Sequence, residues 1–129
     1  MAEFGSIIYG GYMSKIAMIL RKAPYGNINA AEAVRHALGG VSEDIKVSLI
    51  MVDAGVLLAR KGQDDTGTGF TNLEGALKDC IDMGVEIYAD KVSLREQRVD
   101  AGDMVGGVKI VNSAEIAEIV KESKTTMIF

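Results

Sequence analysis

Of the 129 residues, one is cysteine, one is histidine, one is proline and none is tryptophan. Cys80 cannot close a disulfide within the chain, and with His36 as its lone companion there is no Cys/His set for a structural zinc. A reducing compartment suits that cysteine usage, and no metal site and no cofactor are expected. No apolar run approaches the ~20 residues that cross a bilayer as a helix, and the N-terminus lacks the basic segment and apolar core of a secretory signal. The chain therefore reads as cytoplasmic. Nor is positive charge in excess: the net charge is -4 with 25% charged residues. Arg21/Lys22, Arg60/Lys61 and Arg95/Arg98 are scattered without interleaved aromatics, which argues against nucleic acid and for solvated surface.

What is present is an ordinary globular composition, 48% hydrophobic, in a chain long enough for one domain burying about two thirds of its unfolded surface. Residues 1–12, MAEFGSIIYGGY, read as a leader or tag, and residues 13–129 as a single domain. Within it, Ile16–Leu20 is an unbroken apolar run too short for a helix, which suits a strand covered on both faces of a parallel sheet. Arg21, Lys22, Pro24 and Gly26 break it, and Asn27 or Asn29 is placed to cap a helix over Ala30–Leu38 that stops at Gly39-Gly40. Val47–Val52 repeats the pattern and ends at Asp53, followed by a short helix closed by Gly62. The loop Gly62–Phe70 has the composition of a lid, and no Gly-Lys-Ser/Thr follows to make it a phosphate cradle.

Asn72–Met83 reads as a helix with Leu73, Ala76, Leu77, Cys80 and Ile81 on one face, so Cys80 is expected to be buried. Val85–Ala89 is a third strand, with Asp90 capping a helical stretch to about Arg98. Val108–Val111 is a fourth, Ser113 caps the last helix, and Thr125–Phe129 closes the chain as a fifth. Such alternation predicts a three-layer α/β/α sandwich around a five-stranded, mostly parallel sheet, flavodoxin-like in the broad sense. The ends of the first three strands share one edge in this reading, which brings Lys22, Tyr25, Gly26, Asp53, Tyr88 and Lys91 together as candidate ligand-binding residues. Asp53 is either a helix cap or a binding or acid–base carboxylate. Lys91, Arg95 and Arg98 share a helical face that is either a salt-bridge surface or the seat of an anionic ligand or acidic partner. His36 reads as structural.

Ala23-Pro24-Tyr25-Gly26 after one strand, Asp53-Ala54-Gly55-Val56 after the next, then Lys61-Gly62-Gln63, and Ser93-Leu94-Arg95-Glu96 after a third resemble the DsrE/DsrF family. That family includes the TusC and TusD sulfur-relay subunits and YchN-like proteins. The resemblance runs from about Ser14 to Phe129. It implies a small α/β domain that forms trimers or hexamers, alone or with related subunits, and works with sulfur-carrier proteins rather than with membrane or nucleic acid. It also implies a cysteine near the end of the third strand that carries sulfur as a persulfide. Here that place falls on Tyr88 or Asp90. The expectation is thus an accessory or non-catalytic member of intracellular sulfur relay, sulfurtransferase-like at most. The alternatives are a module binding a small anion or nucleotide, or a persulfide carrier through Cys80.

Overall fold

The computed structural model describes residues 15–26, 28–63 and 72–129; the expected leader over residues 1–12, Asn27 and most of the glycine-rich loop lie outside them. The elements run β1 (Lys15–Leu20), α1 (Asn29–Ser42), β2 (Lys46–Met51), a 3₁₀ segment (Asp53–Ala59), α2 (Leu73–Asp82), β3 (Glu86–Asp90), α3 (Lys91–Glu96), β4 (Val108–Val111), α4 (Ser113–Glu122) and β5 (Thr125–Ile128). The strands form one sheet in the order β4-β3-β2-β1-β5, and all four pairings are parallel. The expected three-layer arrangement follows.

Parallel pairing forces each connection to cross a face of the sheet, so both faces are covered and the central strands read as continuous apolar runs. Met18, Leu20, Leu49, Met51, Ile87 and Ala89 face one side. There they share a core with Ala30, Ala33, Val34 and Ala37 of α1, Leu73, Leu77 and Cys80 of α2, and Leu94 of α3. Burial of each large side chain in this layer is worth about 1.5–3 kcal/mol. On the opposite side Ala17, Ser48 and Glu86 lie in one row, and Ile19, Ile50, Tyr88 and Lys109 in the next. The C-terminal half of α4 lies over these rows, Ile119, Glu122 and Ser123 forming a small hollow with Ser48, Glu86 and Tyr88.

Local chemistry departs from the sequence expectation at four points. The first helix runs through Gly39-Gly40 to Ser42, and Gly40 packs against Val47, where a Cβ would come within 2.9 Å of its Cγ2. The helix stops only at Asp44, whose φ of 61° takes the left-handed place usual for glycine, while Ile45 N–H donates to Gly40 O at 3.0 Å. Its N-cap is Ile28, with no side-chain cap, rather than an asparagine. At the last helix the cap is Asn112 and not Ser113, since Asn112 and Glu115 complete a reciprocal capping box. After β2 the chain makes 3₁₀ turns rather than an α-helix. Gly55 there abuts the carbonyl of Leu20, where a Cβ would fall 2.2 Å from the oxygen.

Two substitutions test these local accounts by urea unfolding. Gly55→Ala has no room against rigid backbone and is expected to cost about 1–3 kcal/mol. Asp44→Gly removes left-handed strain and is expected to add up to about 1 kcal/mol. Unchanged midpoints for both variants would contradict the geometry.

Candidate functional site

The connections identify an edge before any side chain is considered. The path from β3 through α3 to β4 crosses the α1 side of the sheet, and the path from β4 through α4 to β5 crosses the other. The exits of β3 and β4 therefore diverge, and the crevice outside such diverging strand ends is where open α/β sheets bind ligands. Asp90, the last residue of β3, is aligned with Val111 of β4, one residue before Asn112.

Asp90 is held by its own helix. Its Oδ2 accepts from the Ser93 backbone N–H at 3.1 Å and from the Ser93 hydroxyl at 2.6 Å, capping α3. The Ser93 hydroxyl, 2% exposed as part of its residue, in turn accepts the Asp53 N–H at 2.8 Å. This ties the end of β2 to the end of β3. Asp53 sits at φ 51°, and unlike Asp44 and Arg98 it follows a strand rather than a helix. Left-handed backbone costs a non-glycine residue about 1–2 kcal/mol, and here the Ser93 bond and the Gly55 contact hold it in place. The strain keeps the Asp53 carboxylate at the rim, exposed and 3.6 Å from Arg21 Nε. Ser93 and Arg21 are not among the candidate ligand-binding residues of the sequence reading, although Ser93 opens the Ser93-Leu94-Arg95-Glu96 motif and Arg21 ends the first apolar run. The signal for Ser93 was the Asp90-x-x-Ser93 spacing directly after a strand.

The remaining candidates separate. Lys22, Gly26 and Lys91 are exposed at the same end of the sheet as Asp53. Tyr25 is half-buried in the same loop, and its hydroxyl accepts from Leu73 N–H at 3.2 Å, joining the loop to the first turn of α2. Gln63 anchors the segment before the undescribed loop: its side-chain amide donates to Leu58 O and Arg60 O, and its N–H to Glu74. That backbone N–H lowers the Glu74 pKa, with Lys78 assisting against burial.

Tyr88 does not point to this edge. Strand alternation turns it to the α4 side, where its hydroxyl donates to Glu86 Oε1 at 3.0 Å. Burial and that bond push the phenol up to about 12. Burial opposes the Glu86 charge, but Tyr88, Lys46 and Lys109 outweigh it and the pKa is lowered. Lys46 Nζ stands 3.6 Å from Glu86 Oε2, and the Ser48 hydroxyl 3.4 Å from Oε1.

Cys80 is fully buried, its thiol directed at Val34 O at 3.8 Å. Burial, with the charge of Asp79 added, pushes the thiol up to about 11. Roughly one thiol in a thousand is then ionised at pH 8. His36 Nδ1 lies 2.7 Å from Glu32 O, and its ring packs on Phe129 at 5.6 Å between centroids. Among the described residues no group of three His, Cys, Asp or Glu is placed to hold a metal ion, and no helix is long and apolar enough to cross a membrane.

Iodoacetamide should label native Cys80 far more slowly than the urea-unfolded chain; equal rates would show an open thiol. Ser93→Ala leaves the Asp53 N–H unpaired and should cost about 1–3 kcal/mol in unfolding. For Glu86 the folded carboxyl titrates below its ordinary range, so its stabilising contribution is present in full above that range and lost as pH falls through the lowered pKa. Glu86→Gln should therefore be less stable than wild type at pH 7, with the gap closing as unfolding is repeated towards pH 3. A gap independent of pH would exclude the ionic account.

Comparison with known proteins adds four findings. A model of the DsrE/DsrF-like family matches residues 14–129. The intracellular sulfur oxidation protein DsrF of Allochromatium vinosum is 30% identical over 132 residues, covering 91% of this chain and 97% of its own length. An uncharacterized protein of Methanopyrus kandleri is also 30% identical, over 115 residues, covering 88% and 93%. Among solved structures, the ychN protein of E. coli superposes with a TM-score of 0.83 at 21% identity, over 91% of this chain and all of its own.

Proposed function

The chain belongs to the DsrE/DsrF-like family, and from that premise we propose that it serves intracellular sulfur relay as a subunit that does not itself carry sulfur. The observation that carries this reading is Asp90. A relay cysteine has to attack a sulfane sulfur as thiolate and then stay within reach of a partner's thiol. The sequence resemblance puts that cysteine on Tyr88 or Asp90. Of the two, Asp90 ends the strand at the crevice, and its carboxylate is engaged in capping α3. A carboxylate cannot form a persulfide. The chain's own thiol, Cys80, is buried beneath α1 and largely protonated at neutral pH.

On this reading the domain is cytoplasmic and contributes a shaped strand edge to an assembly, a trimer or hexamer of itself or of related DsrE/DsrF-type subunits, in which a neighbour supplies the thiol. The match to a relative named for intracellular sulfur oxidation, nearly full-length on both sides, supports the process. A likeness to ychN protein supports the fold.

The test is sulfur uptake by intact mass after incubation with a persulfide-loaded sulfurtransferase. Wild type should gain no sulfur atom, whereas Asp90→Cys, which puts a thiol at the strand end, should gain one. The substitution gives up a cap worth about 1 kcal/mol, so a melting curve must confirm that the variant is folded. A gain by wild type that vanishes in Cys80→Ser would overturn the proposal in favour of Cys80 as carrier.

A further inference from the structure

The last helix is attached to the fold differently from the others. α1 buries Ala30, Ala33, Val34 and Ala37, whereas α4 has no buried residue, and its apolar side chains Ile116, Ile119 and Val120 are only partly covered. α2 and α3 are also tied to neighbouring segments by hydrogen bonds: Leu73 N–H donates to the Tyr25 hydroxyl, Gln63 N–H to Glu74, and Asp53 N–H to the Ser93 hydroxyl. The polar groups of α4 are instead satisfied within its own turns. Asn112 and Glu115 close the capping box, and the Ser123 hydroxyl donates to Ile119 O at 2.7 Å. Among the described residues no hydrogen bond or ion pair joins an α4 side chain to the sheet beneath it.

The surface under α4 is suited to being uncovered. Central strands of a parallel sheet are normally apolar on both faces, yet Ser48 of β2 and Glu86 and Tyr88 of β3 face this helix. A hollow of about 60 Å³ lies between them and Ile119, Glu122 and Ser123, polar and large enough for water. Ser48, Tyr88 and Lys46 already pair with Glu86, so hydrating them leaves no group unpaired. The fully buried apolar residues of this face are Ala17 and Ile50, a small area beside the core on the α1 side. Beyond the helix, β5 is fixed on its own account. It pairs in register with β1, Lys124 N–H donates to Lys15 O and Arg21 N–H to Phe129 O, and the Phe129 ring packs on His36 of α1.

We propose that α4 is a reversible cover on the second face of the sheet. It lifts and unwinds between Asn112 and Ser123 while the α1-side core and β5 stay folded, and it thereby controls access to Ile50 and to the network of Lys46, Ser48, Glu86 and Tyr88. A segment held by few buried apolar contacts opens locally far more readily than the whole domain unfolds. Ten residues released from their packing are too few to remain helical in water, so opening exposes their amides to exchange. The device does not depend on whether the chain carries sulfur.

The test is amide hydrogen exchange followed by NMR on the full chain, each rate taken relative to that of the unstructured amide. Amides of Ala117–Lys121 should be protected at least about 100-fold less than those of β1 and β2, while the amides of β5 that bond to β1 stay better protected than α4. Val34→Ala, which loosens the α1-side core, should speed exchange in β1 and β2 by about tenfold or more. It should leave the α4 rates unchanged, because the open form keeps Val34 packed. Should that variant not fold, urea below the unfolding midpoint serves the same purpose on wild type, since global unfolding responds to it steeply and a small local opening little. Protection of α4 equal to that of β1 and β2, or equal acceleration of α4 by Val34→Ala or urea, would show that the helix opens only with the whole domain and would overturn the proposal. Exchange of β5 in step with α4 would overturn it too, since the moving unit would then include the edge strand.

Discussion

The carbonyl of Leu20 is the point on which the candidate edge depends. It accepts the Val52 N–H at 2.9 Å as β1 and β2 end together, and Gly55 lies directly against it. No side chain fits between them, so the chain leaving β2 has to turn at once. Asp53 is driven into a left-handed conformation and the residues after it into tight 3₁₀ turns. Ser93 then secures the turn from the neighbouring strand end. The outcome is a rim held by backbone geometry and one buried hydroxyl, on which Asp53, Arg21, Lys22 and Lys91 are displayed outward.

The two faces of the sheet are built differently. The α1 side is packed by three helices around Leu20, Leu49, Met51, Leu58 and Leu77, all fully buried. The other side carries α4, none of whose residues is fully buried. Beneath its C-terminal end lies the network of Lys46, Ser48, Glu86 and Tyr88, whose polar groups satisfy one another and tolerate water. This division explains why Tyr88 contributes to local electrostatics on the sheet face and not to the strand edge.

Much of this was legible in the sequence because the deciding physics is local. The continuous apolar runs of β1 and β2 announced parallel strands, the stripe through Leu73, Leu77 and Cys80 announced a buried thiol, and Asp90 announced its own cap. Helix ends were harder. Gly39-Gly40 looks like a stop, yet the helix runs on to Ser42 and Gly40 gives room to Val47 from another element, a contact that nothing local reveals. Likewise Asn112 and Ser113 are both capping residues, and only the reach of Glu115 chooses between them. Tyr88 was assigned to the edge although the alternation Glu86, Tyr88, Asp90 against Ile87, Ala89 already placed it with Glu86 on one face. Asp53 could be recognised as a candidate, but its strain could not, since it comes from Leu20 and Ser93, far away in the chain.

The central claim is that this subunit shapes a relay site without holding the sulfur. The most direct measurement is mass spectrometry of dissociated subunits after sulfur loading of a complex between this chain and a cysteine-bearing DsrE/DsrF-type subunit. The account predicts the added sulfur on the partner and an unmodified mass for this chain. Sulfur found on this chain, at Cys80, would contradict it.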